Sequence, residues 1–382
     1  MKILHLSDLH IGKSVNGFSM LNEQRHVFRQ IIAYIQTEQP DAIVMAGDVY
    51  DRSIPGIEAV RVFDDFLTEL ALEGVAVMII SGNHDSPERL NYASRLLAEK
   101  KVFLCGTFDG SVQRVTMTDE YGEIHFWLLP FIKPSNLRGL LGEQEIESYS
   151  DALTVALEMA DIDDAARNVL VAHQFFTGEG EALVRCDSEM NLVGGLDAIS
   201  AKIIERFDYA ALGHLHGAQQ AGAEHIRYAG SPLKYSFSEV WHNKSVTLAE
   251  LAEKGSLTVT ALPLAPLHDM REIRGKLDTL MSDEVTSLAD REDYLRIILT
   301  DEEEIIDPMG KLRSVYPNIM SLDFENRRSG VDIAEIGLEA ERAAALSPYE
   351  LFSEFFLDSN GSTMSGEQAK IVRELLETEA SE

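Results

Sequence analysis

Residues 75–85 read VAVMIISGNHD, an apolar run that stops on Gly82-Asn83-His84-Asp85. A short apolar run closed by small and polar residues reads as a buried strand. This one carries an amide, an imidazole and a carboxylate at its carboxyl end. The same pattern occurs four more times. Residues 3–6 precede Asp8-Leu9-His10, residues 42–46 precede Gly47-Asp48, residues 169–172 run into His173, and residues 209–212 precede Gly213-His214-Leu215-His216. In an open α/β sheet, ligands bind beyond the carboxyl ends of the strands. Five such ends would bring these side chains to one rim. Asp, Asn and His donors with no thiolate suit two hard or borderline divalent cations: manganese, magnesium, iron or zinc. That is the equipment for metal-assisted hydrolysis of a phosphate ester.

Each residue type has a part in that chemistry. Asp8 and His10 are two apart, so strand alternation would turn both to one side; His214 and His216 share the spacing. Asp48 follows Gly47, which lets the backbone approach, and its carboxylate could bridge two cations. Asn83 offers a neutral oxygen and His173 a further nitrogen. His84 is expected to face substrate, donating to the phosphoryl oxygens or protonating the leaving oxygen. Asp85 is expected to orient that imidazole. The nucleophile would be a hydroxide activated by the two cations, and no GxSxG elbow or phosphate-cradling glycine loop competes with this reading. His5, His26, His125, His225, His242 and His268 lie outside these segments and read as core or surface histidines.

The chain has 382 residues, enough for two or three domains, and a hydrophobic fraction of 45% that can support a sizeable core. No apolar run approaches the roughly 20 residues of a membrane span. The first strand begins within two residues of Met1, which leaves no room for a signal peptide. Cys105 and Cys186 form no CxxC pair and read as reduced, buried thiols of a cytosolic protein. Lys and Arg number 33 against 64 Asp and Glu, a net charge of −31. Nucleic-acid affinity rests on cations that neutralise phosphates, so the charge argues against a chain that grips DNA unaided.

Up to residue 262, strand and helix patterns alternate. Helical spacing covers residues 28–37 and 60–71, Ser86-Pro87 has the N-cap and first-position signature of a helix start, and further strands are expected at 102–105, 124–129, 226–229 and 245–249. This predicts an α/β fold, a two-sheet sandwich flanked by helices, over residues 1–265. Pro263 and Pro266 mark a break. Residues 266–330 read as a small α+β domain, with a strand running into a helix at 269–280 and strands at 294–300 and 319–324. Residues 331–382 hold 12 acidic and 3 basic side chains. Ser347-Pro348-Tyr349-Glu350 and Ser365 to Gln368 have the form of capping boxes. The helices they open carry Leu351, Phe352, Phe355 and Phe356, then Ile371, Val372, Leu375 and Leu376, each set on one side. Short acidic amphipathic helices suit a groove on another protein.

With these motifs the chain resembles the calcineurin-like metallophosphoesterases, and among them the nuclease subunits that pair with an SbcC-type coiled-coil ATPase. The resemblance spans essentially the full length. It includes His10-Ile11-Gly12-Lys13, Ser188-Glu189, Val193-Gly194-Gly195, Tyr228-Ala229-Gly230-Ser231-Pro232, Phe237-Ser238-Glu239 and the Phe-rich tail. It implies one metal held by Asp8, His10, Asp48 and His216, and a second by Asp48, Asn83, His173 and His214. It implies His84 as the transition-state histidine, manganese as the preferred ion, and a cytoplasmic, nucleoid-associated homodimer with no membrane attachment. Residues 59–72 and 88–98 are the expected dimer helices. The activity implied is exonucleolytic and endonucleolytic processing of DNA ends and hairpins, with the small domain capping DNA. Tyr349, Leu351, Phe352, Phe355, Phe356, Ile371 and Leu375 would dock the ATPase. Lys13, Arg52, Arg89, Arg327 and Arg328 are candidate DNA contacts. A second substrate-side histidine found after the bridging Asp in archaeal and eukaryotic relatives is absent here, where the stretch reads Val49-Tyr50-Asp51-Arg52. Two alternatives stand beside this reading. A phosphomonoesterase needs neither capping domain nor tail, and a non-catalytic scaffold needs no complete ligand set.

Overall fold

The computed structural model describes residues 1–141, 146–178, 180, 183–189, 198–303 and 305–325, with 349–350, 352–353, 356–357, 363–366, 368–369 and 371–372 in the C-terminal part. Two six-stranded sheets lie face to face. The first has the order Leu257–Pro263, Ser245–Leu251, Lys2–Leu6, Ala42–Ala46, Ala76–Ile80, Val102–Cys105. Its last four strands are mutually parallel, and the other two join as antiparallel neighbours. The second has the order Gln219–Ala221, Ala223–Tyr228, Tyr209–Gly213, Arg167–His173, Gly122–Leu129, Gln113–Asp119. Its four inner strands are parallel.

The continuous apolar runs are what a strand covered on both faces requires. Every residue of Ala42–Ala46, Ala76–Ile80, Arg167–His173 and Tyr209–Gly213 is buried. Between the sheets pack Ile3, Val44, Met78, Phe126, Val169 and Tyr209. Outside the first sheet, helices Leu21–Glu38 and Ile57–Leu72 bury Val27, Phe28, Ile31, Val62 and Phe66; the rings of Phe28 and Phe66 stack at 4.3 Å. Outside the second, helix Tyr149–Glu158 buries Ala152, Leu153 and Ala156. Cys105 and Cys186 are free and buried.

Strands Gln113–Asp119 and Leu257–Pro263 are additions to the sequence-based expectation. Both are edge strands, and exposed residues alternate along them, so neither carries the apolar run that marks the inner strands. The helix begun by Ser86 and Pro87 is a single turn, Pro87–Leu90.

The small unit corrects the expected α+β class. Strands Met270–Gly275, Tyr294–Leu299 and Ile319–Phe324 are all parallel. Parallel neighbours need crossovers, and these are supplied by helices Leu277–Leu280, Asp283–Thr286 and Pro308–Arg313, so the unit is α/β. It has a core of its own around Leu295, Ile297, Leu299 and Leu312. Met270, Tyr294 and Met320 nevertheless join the core of the first sheet. At the junction the buried carboxylate of Glu23 accepts hydrogen bonds from Leu267 N and from the His268 ring, both at 2.7 Å.

In the C-terminal part, Ser365 and Gln368 make the reciprocal hydrogen bonds of a capping box. Tyr349 and Phe356 are half-buried, while Phe352 and Ile371 are exposed. Leu351, Phe355, Leu375, Arg327 and Arg328 lie outside the described residues. No helix among the described residues is long and apolar enough to cross a membrane.

Candidate metal centre

Register sets the geometry. Gly213 pairs with His173, and Ala46 with Ile80, so neighbouring strands end level and the residues that follow share a rim. There the backbone turns sharply. Asp8, His10 and Asp48 have φ of 53°, 43° and 49°, and His214 has 104°. Non-glycine residues held in this region cost about 1–3 kcal/mol each and gather at functional sites. Strand alternation therefore does not account for Asp8 and His10: the strand ends at Leu6, and left-handed turns aim both side chains inward. Gly213 packs so tightly on the Ala46 carbonyl, across the sandwich, that a Cβ would collide with it.

Two groups of ligand atoms result. Asp8, His10 and His216 present atoms within 4.8 Å of one another, with His10 Nε2 3.1 Å from His216 Nε2. Asn83 Oδ1 lies 3.0 Å from His173 Nε2 and 3.2 Å from His214 Nδ1. Asp48 stands between the groups: its Oδ2 is 3.6 Å from His10 Nε2 and 3.4 Å from His173 Nε2. Its Oδ1 accepts the His84 backbone N–H at 2.8 Å. His214 and His216, although spaced like Asp8 and His10, thus serve different groups. The Asp8 carboxylate also accepts the His214 backbone N–H.

The donor set fits divalent cations. His173 Nδ1 donates to the Ala46 carbonyl at 2.7 Å, which leaves Nε2 with its lone pair. That lone pair faces Asn83 Oδ1, so two acceptors look at each other across 3.0 Å, an arrangement stable only with a proton or cation between them. Burial takes His10 well below its ordinary value and His214 down to about 3, so both are neutral and able to ligate. Burial would lower His173 as well, but the Asp48 and Asp8 carboxylates and the Ala46 carbonyl outweigh it and hold the ring up at about 9. A proton there takes the place a cation would fill. Burial pushes Asp8 up to about 6 against the pull of His173 and His216.

Sequence reasoning missed what stands behind His216. Its Nδ1 lies 2.9 Å from Ser188 Oγ and 3.4 Å from Glu239 Oε1, and Ser188 donates to Glu239 at 3.0 Å. Glu239 is fully buried, with Lys244 Nζ on its other oxygen at 2.6 Å. Lys244 also donates to the His216 carbonyl at 2.9 Å. The backbone N–H of His216 donates to Glu189. Ser188-Glu189 and Phe237-Ser238-Glu239 carry the family resemblance, but nothing in those segments gives them this part behind His216.

His84 is half-buried, its ring 4.8 Å from that of His10, and its Nδ1 meets the Asp51 carbonyl at 2.9 Å. The expectation that Asp85 orients this imidazole is wrong. Asp85 accepts the backbone N–H groups of Val49, Tyr50 and Gly82 at 2.9–3.1 Å. It staples the Asp48 loop to the Asn83 loop and leaves the ring to Asp51. Among the candidate DNA contacts, Lys13 is committed to Asp51 at 2.8 Å and lies over the Tyr235 ring, so it faces inward. Arg52 and Arg89 are exposed. A cation not foreseen stands on the His214 side: Arg185 is exposed and lies 3.8 Å over the ring of Phe175, which is 6.2 Å from the His214 ring. No motif surrounds Arg185 to announce it.

A family profile for calcineurin-like phosphoesterases matches residues 1–218. A second, described as the type 5 capsule protein repressor C-terminal domain, matches residues 266–360. The SbcD subunit of the SbcCD nuclease from Staphylococcus epidermidis is 33% identical over 326 residues, covering 84% of this chain and 85% of that protein. The chain belongs to the calcineurin-like phosphoesterases and, within that class, to the SbcD family. Among solved structures, TT1561 of Thermus thermophilus is similar with a TM-score of 0.41 at 12% identity, over 68% of this chain and 98% of that one. A dimetal phosphatase from Danio rerio is similar with a TM-score of 0.41 at 13% identity, over 70% and 97%. The family's chemistry is metal-dependent hydrolysis of phosphate esters.

Proposed function

We propose that the chain is a two-metal DNA nuclease that acts with an SbcC-type ATPase. The observation that carries this reading is the single oxygen Asp48 Oδ2 facing His10 on one side and His173 on the other. A carboxylate shared in this way is what a pair of cations about 3.5–4 Å apart needs. One ion would take Asp8, His10, Asp48 and His216, the other Asp48, Asn83, His173 and His214. Bound there, two divalent cations, manganese by preference, supply charge neutralisation to the phosphoryl group and activation of water. His84 does the remaining work. Its Nδ1–H donates to the Asp51 carbonyl, which turns Nε2 toward substrate; protonated, it donates to a phosphoryl oxygen or to the leaving oxygen. Likeness to an SbcD chain of the SbcCD nuclease supports DNA ends and hairpins as substrate and the ATPase as partner.

The net charge of −31 assigns much of the DNA grip to that partner. Exposed Ile54, Ile57, Val60, Tyr92 and Leu96, on and beside the helices Ile57–Leu72 and Ser94–Ala98, support homodimer formation through this surface. The C-terminal helices would dock the ATPase, and the small unit would cap the DNA. The cytoplasm, at the nucleoid, is the corresponding location. The test is manganese-dependent cleavage of end-labelled duplex and hairpin DNA by wild type and His84→Gln, with a chelator control. Cleavage is expected from wild type alone. Turnover of a phosphomonoester without DNA cleavage would overturn the proposal.

A further inference from the structure

A cavity of 300 Å³ opens against the metal centre on the Asn83 side, with Gly82, Asn83 and Asp85 in its lining. Two half-buried aromatic residues, Phe108 and Phe131, also line it, and Glu88, Lys133 and Asn136 contribute exposed polar groups, one carboxylate and one ammonium among them. Phe131 follows the end of strand Gly122–Leu129, neighbour of the strand that delivers His173. Phe108 follows the end of strand Val102–Cys105, neighbour of the strand that precedes Asn83. The cavity therefore belongs to the rim on which the strand ends converge. Ser81, two residues before Asn83, ties both walls to the site: its carbonyl accepts Phe131 N–H at 2.9 Å, and its hydroxyl donates to the Gly106 carbonyl at 2.7 Å. The Phe131 ring stands edge-on to His173 at 6.3 Å. Lys133 makes no ion pair among the described residues, in a chain whose net charge is −31.

We propose that this cavity receives the nucleoside adjoining the scissile phosphodiester, its base against Phe131 and Phe108 and a flanking phosphate at Lys133. The inference rests on the nuclease reading. A nucleoside in a space bounded by Asn83 would adjoin a phosphoryl group held at the metal centre. Aromatic residues match a base, and stacking of this kind tolerates any base. Lys133 on the Phe131 wall matches a phosphate, with the Glu88 carboxylate in the same lining left to the sugar hydroxyls. A pocket of 300 Å³ lies at the small end of ligand sites: it takes one nucleoside and excludes a base pair. The end nucleotide must therefore leave the duplex to be cut, a step that is easiest for a mismatched or unpaired base.

The experiment compares kcat/KM of the full chain, with manganese, on bis(p-nitrophenyl) phosphate, on a fully paired duplex, and on the same duplex with a mismatched terminal pair. Wild type is expected to prefer the mismatched end. In Phe131→Ala the ratio of DNA turnover to bis(p-nitrophenyl) phosphate turnover is expected to fall about tenfold, and Phe131→Trp to restore it. Phe108→Ala gives the same reading should Phe131→Ala fail to fold. A ratio unchanged in Phe131→Ala and Phe108→Ala, or no preference for the mismatched end, overturns the cavity's role. Wild type that hydrolyses bis(p-nitrophenyl) phosphate but no DNA overturns the nuclease reading itself.

Discussion

Glu239 reaches the ring of His216 twice, directly at 3.4 Å and through the hydroxyl of Ser188. The contacts fall on Nδ1 and leave Nε2 to face His10. Carboxylates placed behind ligating histidines fix their tautomer and raise their basicity, and their loss costs about 10–100-fold in metal affinity. Burial would raise the Glu239 carboxyl, but His216 and Lys244 hold it well below the usual range, so it is charged. Glu239→Gln is expected to weaken one of two manganese ions by about 10–100-fold, read by calorimetric titration of the full chain. The same change leaves the Lys244 ammonium buried without its partner, which costs about 3–5 kcal/mol. Adding Lys244→Met should recover stability without recovering the affinity. Recovery of both would make Glu239 a structural residue.

Asp48→Asn tests the shared oxygen. An amide in place of the carboxylate presents a neutral group to both metal groups at once. DNA cleavage is expected to fall by at least about 10³-fold, the scale seen when a central electrostatic contact is lost. Manganese stoichiometry should drop below two. Two ions bound at wild-type affinity would show that Oδ2 is not shared.

The inner strands and the side chains gathered at their rim are legible in the sequence because burial on both faces leaves a continuous apolar run, and each run ends on a ligand-type side chain. The edge strands Gln113–Asp119 and Leu257–Pro263 are hidden by the alternation of exposed residues along them. The small unit reads as α+β because, of its short crossover helices, only the one within 269–280 shows in the sequence, and strand direction has no sequence mark; Asp283–Thr286 is four residues, too short to show a helical period. For Asp85, adjacency in sequence suggests contact with His84, whereas the turn sends its carboxylate to three backbone N–H groups. Glu239, Ser188 and Arg185 come from segments whose approach to the site is set by tertiary packing alone.

Glu23 couples the two units. Its carboxylate accepts from the backbone and ring of the 267–268 junction and meets Tyr294 Oη at 3.4 Å. Hydrogen bonds to a charged group contribute about 1.5–3 kcal/mol each. Glu23→Ala is expected to expose residues 263–269 to proteolysis at a temperature where wild type resists, and to separate the unfolding of the small unit from that of the sandwich. A single transition at the wild-type temperature would mean that the shared core around Met270 and Tyr294 holds the junction unaided.

His5 gives a pH dependence outside the metal ligands. It is fully buried in the first strand, with Nδ1 2.9 Å from Tyr209 Oη. Burial takes it from 6.5 down to about 3. The unfolded chain therefore binds a proton that the folded chain refuses, so the contribution to stability is complete above pH 6.5 and is lost as pH falls toward 3. At pH 5 the unfolded imidazole is about 1.5 units below its pKa, worth about 2 kcal/mol. Urea midpoints for wild type and His5→Phe, taken at pH 7.5 and 5.0 in the presence of a chelator, isolate the effect. Wild type should lose about 2 kcal/mol more than the variant across that interval, whatever the variant's stability at pH 7.5. Equal losses would mean that the folded chain binds a proton at His5 as readily as the unfolded one.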